Sequence, residues 1–319
     1  MTRVAAVDCG TNSIRLLVAD VDAGAGTLTD VDRRMEIVRL GQGVDRTGRI
    51  APEALARTLD ATRRYAEVCA RAGVDAIRFV ATSASRDAEN RDEFVSGVQA
   101  LLGVAPEVVA GDEEARLSFA GATRELRGAY EEPYLVVDLG GGSTELVLGT
   151  TAGEEVQAAL SVDVGCVRIT ERHLHGDPPD EAEIAAAVAD VDAALDRAAG
   201  VVPLERARTL VGLAGSVTTV TAHALDLPRY DAAVIHRSEL PADAVLASCD
   251  ALLRMTRAER AALPYMHPGR VDVIGAGALI WGRVVERVGV ERVLTSEHDI
   301  LDGIAWSLVP PGPGARATA

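Results

Sequence analysis

The strongest constraint on this chain is a strand–loop–strand unit that occurs twice. Val4–Val18 reads VAAVDCGTNSIRLLV and Leu135–Gly149 reads LVVDLGGGSTELVLG. A shift of 130 positions sets Asp8 on Asp138, Gly10 on Gly140, Ser13 on Ser143 and Leu16 on Leu146. In the second copy Tyr134–Asp138 reads as a buried strand ending in a carboxylate, three glycines turn the chain, and Glu145–Leu148 reads as the returning strand. Gly140, Gly141 and Gly142 carry no Cβ, so their N–H groups can approach an anion closely and can take positive φ. Ser143 and Thr144 add hydroxyl donors beside them. A phosphate could sit on such a turn. Asp138 and Glu145 at its rims would repel it unless a divalent cation, or a water to be activated, lay between. One difference between the copies is informative, because Arg15 takes the place of Glu145. A duplicated domain with two facing phosphate loops, one bringing a cation and the other a carboxylate, would enclose a metal-bound phosphoryl group.

Composition narrows the chemistry. The length of 319 residues suggests two domains with a core each. No run approaches the roughly 18 apolar residues of a membrane span. A strand begins almost at the N-terminus, leaving no signal peptide, so a cytoplasmic protein with no membrane association is expected. The net charge of −16 argues against nucleic-acid binding, which needs a positive surface field. A polyanionic substrate can still be held locally by arginine, backbone N–H groups and Mg²⁺. All 32 basic residues are arginine, which excludes a P-loop lysine, a Schiff-base lysine and a lysine general base together. Cys9, Cys69, Cys166 and Cys249 are widely separated, with no CxxC pair, and read as reduced and buried. The six histidines offer no ligand-spaced pair, and His173 and His175 fall on different faces of a predicted helix.

Along the chain, Thr27–Leu40 is strand-rich, Gly41–Ile50 is a glycine-broken loop, and a helix from Pro52 to Ala72 is closed by Gly73. The strand Ala76–Ala81 leads into TSASRDAENRDEF, whose Thr82, Ser83, Ser85, Arg86 and Asn90 lie where α/β folds place ligands. A helix from Arg91 to Gly103 precedes the strand PEVVAG and then DEEARLSFAG, in which Asp112 is the expected N-cap and Glu113 and Glu114 fill the first turn. The ordinary role of such acids is to complement the helix dipole. The domain change is expected between Gly121 and Pro133. Beyond it come the strand Gln157–Val162, a helix from Val167, the GDPPD loop, a helix from Asp180 to Ala199, and the buried strand Thr209–Leu213. AGSVTTV and VDVIGAGALI both read as strand-to-helix passages, and Ser296 as the N-cap of a last helix ending near Leu308.

Taken together, DCGTNSIRLLV, ATSASRDAENRDEF, AGDEEARLSFAG, VVDLGGGSTELVLG, VGLAGSVTTV and SEHDILDGIA resemble, in order, the motifs of the exopolyphosphatase/guanosine pentaphosphate phosphatase (Ppx/GppA) family. The resemblance implies an α/β fold of two ribonuclease-H-like domains, as in the actin/hexokinase/Hsp70 superfamily, flanking a cleft. Their expected extents are 1–126 and 127–310, with the final helix near 298–308 packing back on the first domain and 311–319 a disordered tail. It implies Mg²⁺ dependence and a catalytic glutamate in the EEA segment, placed on Glu114 with Glu113 as the alternative. Asp138 and Glu145, with Asp8, are the implied metal side. The terminal phosphoryl group would be held by Gly10, Thr11, Asn12, Ser13 and Arg15 from one loop and Gly140, Gly141, Gly142, Ser143 and Thr144 from the other, with Arg86 adding charge. The implied reaction is stepwise or processive hydrolysis of terminal phosphate from inorganic polyphosphate. The alternative is the 5′ γ-phosphate of guanosine pentaphosphate (pppGpp). A kinase of the same superfamily and a non-catalytic polyphosphate sensor are remoter alternatives. A homodimer is implied as well. The chain ends soon after the two domains, without the helical extension of long family members, which favours a short-chain exopolyphosphatase.

Overall fold

The computed structural model describes residues 1–151 and 155–309; the expected tail at 311–319 lies outside them. The chain forms two compact units, Met1–Ala110 together with the segment from Ile300, and Gly111–Asp299. Helices of eight or more residues are α1 (Pro52–Ala72), α2 (Arg91–Leu102), α3 (Gly111–Thr123), α4 (Cys166–His173), α5 (Glu181–Ala199), α6 (Ala214–Ala224), α7 (Ala242–Arg254), α8 (Ile274–Val288) and α9 (Ile300–Ser307).

The first unit holds β1 (Thr2–Cys9), β2 (Ser13–Asp22), β3 (Thr27–Ile37), β4 (Ala76–Ala81) and β5 (Glu107–Val108), in the sheet order β3-β2-β1-β4-β5. β1, β2 and β3 form an antiparallel meander, and β4 and β5 add in parallel. Alternate residues of β1 and β2, among them Ala5, Val7, Ile14 and Leu16, pack with Tyr65 and Val68 of α1 and Phe94 and Val98 of α2. α1 has Pro52 at its first turn, where a missing N–H costs nothing, and ends at left-handed Gly73. α9 packs on β1, β2 and β4, and its buried Asp302 accepts from Arg33 of β3 at 2.5 Å.

The second unit repeats the plan. β6 (Tyr134–Leu139), β7 (Thr144–Thr150) and β8 (Glu155–Val162) form the meander, β9 (Thr209–Leu213) and β11 (Arg292–Thr295) add in parallel, and β10 (Glu239–Pro241) closes the edge, in the order β10-β11-β9-β6-β7-β8. Both sheets therefore have the ribonuclease-H-like order expected of the duplication. β6 is buried throughout and, up to Asp138, apolar on both faces, as a strand covered on both sides must be. Leu135, Val137 and Leu139 join a core with α4, α5, α7 and α8, while Tyr134 and Val136 pack under Ala115, Phe119 and Ala122 of α3. α5 opens with a capping box, Asp180 accepting from the Glu183 N–H and the Glu183 side chain accepting from the Asp180 N–H.

Several expectations are corrected. The units divide at 110/111 and 299/300, not at 126/127, because the apolar face of α3 packs on β6, β7 and β8. Asp112 is not an N-cap: the helix starts at Gly111, so all three acids lie in its first turn. VDVIGAGALI contains no strand; its glycines let α8 approach its neighbours, a Cβ on Gly277 meeting Ser216 Oγ at 2.3 Å and one on Gly275 meeting Arg260 Nη2 at 2.5 Å. Ser296 does not cap α9, which begins at Ile300; its hydroxyl donates to the carbonyl of His298 and accepts from the His298 N–H. The strand in PEVVAG is only Glu107–Val108.

Candidate active site

In the second unit the site grows from the β6–β7 hairpin. Side chains alternate along β6, so Asp138 shares the face of Tyr134 and Val136, the face covered by α3. Asp138 pairs directly with Glu145 across the hairpin, and directly opposed residues project on one face. Glu145 in turn pairs with Ser161 of β8, whose hydroxyl donates to Glu145 Oε1 at 2.7 Å. From above, Ser118 of α3 donates to Asp138 Oδ2 at 2.5 Å. Glu114 lies one helical turn before Ser118 and hence on the same side of α3. It is 7% exposed, Asp138 7% and Glu145 1%, whereas Glu113 is only partly buried. Burial thus distinguishes the two adjacent acids: Glu114 is buried on the side of Ser118, and Glu113 is half-buried. The start of α3 fits closely over β8 because residue 111 is glycine; a Cβ there would lie 2.5 Å from that of Ser161.

The glycine loops of the two units are built alike. Gly140 N–H donates to Ser143 O at 3.0 Å and Gly10 N–H to Ser13 O at 2.9 Å. Neither Gly10 nor Gly140–Gly142 is among the left-handed glycines, so positive φ does not account for them. A Cβ on Gly140 would sit 3.1 Å from Ser143 O, and one on the facing Gly165 would sit 2.5 Å from the carbonyl carbon and oxygen of Gly141. Cys166 N–H donates to Gly140 O, Val167 and Arg168 N–H to Gly141 O, and Arg168 Nε to Gly142 O. The loop carbonyls are therefore turned to α4, and the N–H groups of Gly141, Gly142 and Ser143 take no part in these bonds. Thr144 is fully buried and its hydroxyl donates to Val164 O at 2.6 Å, so that hydroxyl serves the fold rather than a ligand.

In the first unit, Asp8 and Arg15 are opposed in register like Asp138 and Glu145, and they form an ion pair, Arg15 Nη2 to Asp8 Oδ2 at 2.7 Å. Thr11 Oγ1 lies 2.8 Å from Ser83 Oγ, and the Thr11 carbonyl accepts from Gly41. The Asn12 carbonyl accepts from Val38 and Arg39. Arg86 is anchored by donation to Val109 O at 2.9 Å. The buried Ser85 hydroxyl has no hydrogen-bond partner among the described residues. Asn90, a polar residue of the same segment, instead clamps both backbone groups of Ile50. Burial, with Asp8 adjacent, pushes the Cys9 thiol well up, and burial does the same at Cys69, Cys166 and Cys249, so these thiols are neutral packing groups.

Ser118, Ser161, Gly165 and Arg168 escaped sequence reasoning. Ser118 is legible as the i+4 neighbour of Glu114, but Ser161 emerges only from the β7–β8 register. A further feature is the turn at Ala214, left-handed without being glycine, next to Gly215, over which the Arg270 guanidinium lies so closely that a Cβ would meet it at 2.2 Å.

Residues 17–311 match the model of the Ppx/GppA phosphatase family. The chain is 54% identical over 319 residues to Exopolyphosphatase 2 of Mycobacterium tuberculosis, across 97% of this chain and 99% of that one. It is 31% identical over 307 residues to the guanosine-5′-triphosphate,3′-diphosphate pyrophosphatase of Aeromonas salmonicida, across 96% of this chain but 59% of that enzyme. Among solved structures, an exopolyphosphatase-like protein superposes with a TM-score of 0.93 at 48% identity, covering 96% of this chain and 97% of that one.

Proposed function

The chain belongs to the Ppx/GppA phosphatase family, and we propose that it is an exopolyphosphatase, a hydrolase that releases the terminal phosphate of inorganic polyphosphate with Mg²⁺. The observation that carries the chemistry is three carboxylates no more than 7% exposed, Asp138 and Glu145 opposed beside a glycine loop and Glu114 on the helix that covers that sheet. Buried carboxylates are costly and are kept where charge is to be met.

The donor set suits Mg²⁺, a hard cation that takes oxygen ligands. Asp138 and Glu145 would hold it, each carboxylate oriented by one serine hydroxyl. Asp8 is the weaker candidate, because Arg15 already neutralises it. When bound, Mg²⁺ supplies charge neutralisation at the phosphoryl oxygens. Glu114 orients a water and accepts its proton. The N–H groups of Gly141, Gly142 and Ser143 donate to the phosphoryl oxygens, and the Ser143 hydroxyl adds a donor. Gly10, Thr11, Asn12, Ser13 and Arg15 form the second anion-binding loop, with Arg86 as an additional positive charge. A homodimer and a cytoplasmic location belong to the same proposal.

Hydrolysis of pppGpp is the second reading, favoured by the 31% identity to the Aeromonas salmonicida enzyme. Polyphosphate is preferred because the 54% identity runs nearly end to end in both chains. The test is phosphate release from short polyphosphate, long polyphosphate and pppGpp, each with Mg²⁺ and with EDTA. Release from polyphosphate, abolished by EDTA and restored by Mg²⁺, is expected; inactivity on all three would overturn the enzyme assignment.

A further inference from the structure

Three side chains far apart in sequence meet in the second unit. Glu125 lies on the 3-10 turn Arg124–Leu126 after α3, His236 follows the short helix Ala232–Ile235, and His298 lies between β11 and α9. Glu125 Oε2 is 3.5 Å from His236 Nε2 and 3.3 Å from His298 Nδ1, and the three atoms lie within 4.8 Å of one another. We propose that Glu125, His236 and His298 bind a divalent transition-metal cation of the zinc class, at a site separate from the carboxylate cluster at Asp138 and Glu145.

Zinc holds nitrogen and oxygen ligands tetrahedrally at about 2.0–2.1 Å, which sets neighbouring ligand atoms about 3.3–3.4 Å apart. Both glutamate-to-histidine separations already have nearly that value. Two imidazoles and one carboxylate suit Zn²⁺, Co²⁺ or Ni²⁺, whereas Mg²⁺ prefers oxygen alone. The Glu125 side chain is 53% exposed, leaving a fourth position open to water.

The ligands are also held in place. Arg237, left-handed without being glycine, donates its N–H to Thr295 O at 2.8 Å, and Thr295 N–H returns to Ser238 O at 3.0 Å, which fixes the backbone on both sides of the histidine pair. Ser296 Oγ accepts from His298 N–H and donates to His298 O. Leu126, next to Glu125, is buried, and its carbonyl accepts from Tyr134 OH at 2.8 Å. The imidazole centroids lie 4.5 Å apart.

Two features oppose binding and set its strength. His236 Nδ1 accepts from Glu297 N–H at 3.2 Å, so the imidazole proton sits on Nε2. Metal binding moves it to Nδ1 and sacrifices that hydrogen bond, a loss of up to roughly tenfold in affinity. The adjacent Arg237 adds a positive charge. The expected affinity is therefore micromolar, far weaker than a closed zinc-finger site.

The test is zinc titration of the full chain after chelator treatment, by calorimetry and by competition with a chromogenic chelator, together with Co²⁺ titration followed by its visible absorption. Expected are one zinc per chain, a rise in melting temperature of about 4 °C at a hundredfold excess over the dissociation constant, and tetrahedral Co²⁺ bands. His236→Ala and His298→Gln should each weaken binding by about a hundredfold or more and Glu125→Gln by at least about tenfold, while His175→Ala leaves it unchanged. Melting each variant without zinc establishes that it is folded. Absence of saturable binding up to millimolar zinc, or binding that survives in folded His236→Ala/His298→Gln, would overturn the site.

Discussion

At the residue scale, the chemistry rests on carboxylates positioned by hydroxyls. A lone general base contributes about 10²- to 10⁴-fold, so Glu114→Gln should lower phosphate release by that factor, with Glu113→Gln nearly without effect. Steady-state phosphate release by the two variants checks it; equal losses would return the assignment to an open choice. Ser118 and Ser161 touch Asp138 and Glu145 rather than substrate. Ser118→Ala and Ser161→Ala should therefore raise the Mg²⁺ concentration for half-maximal activity by about 10- to 100-fold while Mg²⁺ in excess restores much of the rate. A Mg²⁺ titration of each variant distinguishes this from loss of the base. Glu114, Asp138 and Glu145 were legible in sequence from their motifs. Ser161 was not, because its role depends on a strand register that no local pattern encodes.

At the element scale, glycines set how closely pieces pack. Gly165→Ala would press a methyl into the Gly141 peptide, and since backbone cannot step aside cheaply it should destabilise by about 1–3 kcal/mol and lower activity. Urea denaturation of the variant measures the first effect and phosphate release the second. α6 carries a pH-sensitive element. The partly buried His223 has a buried Nδ1 without a hydrogen-bond partner among the described residues and sits edge-on to Tyr265, and burial lowers its pKa despite Asp226 nearby. Its folded pKa lies below its unfolded value of about 6.5, so the unfolded chain takes up the proton first and stability falls as pH drops through that range. The denaturation midpoint should fall between pH ~7 and pH ~5, and less steeply in His223→Gln; equal slopes would discard the assignment. Helix and strand limits such as Pro52–Ala72, Ala76–Ala81 and Thr209–Leu213 were readable from periodicity and end signals. α8 was not, because glycines that serve helix contact look in sequence like those of a turn.

At the scale of the whole molecule, the first unit is discontinuous: the chain leaves it at Ala110 and returns at Ile300. The returning α9 is locked by Asp302, whose side chain is 3% exposed, against Arg33. Removing Asp302 takes the buried partner from Arg33 and leaves it only the exposed Asp30. Asp302→Ala should therefore lower the stability of this unit by about 1–3 kcal/mol, less than a fully buried pair because Arg33 is 31% exposed. The two tryptophans make this measurable, since Trp306 lies in α9 and Trp281 in α8. With Trp281→Phe as background, the Trp306 fluorescence transition should shift to lower urea; an unmoved transition would mean that apolar packing alone holds α9. Among the described residues, no helix is long and apolar enough to cross a membrane.

The sequence by itself determined the duplication, and with it the repeated sheet order, the paired loops and the positions of the acids. It could do so because hairpin register follows from alternation and loop length, so Asp8 opposite Arg15 and Asp138 opposite Glu145 are local consequences of a few residues. What only the tertiary structure decided are the relations between segments distant in the chain. These include the docking of α3 on the second sheet, which puts Glu114 with Asp138 and Glu145, the return of α9 to the first unit, and the meeting of Glu125, His236 and His298. Those depend on which apolar faces cover one another, and that choice is made by the whole core at once.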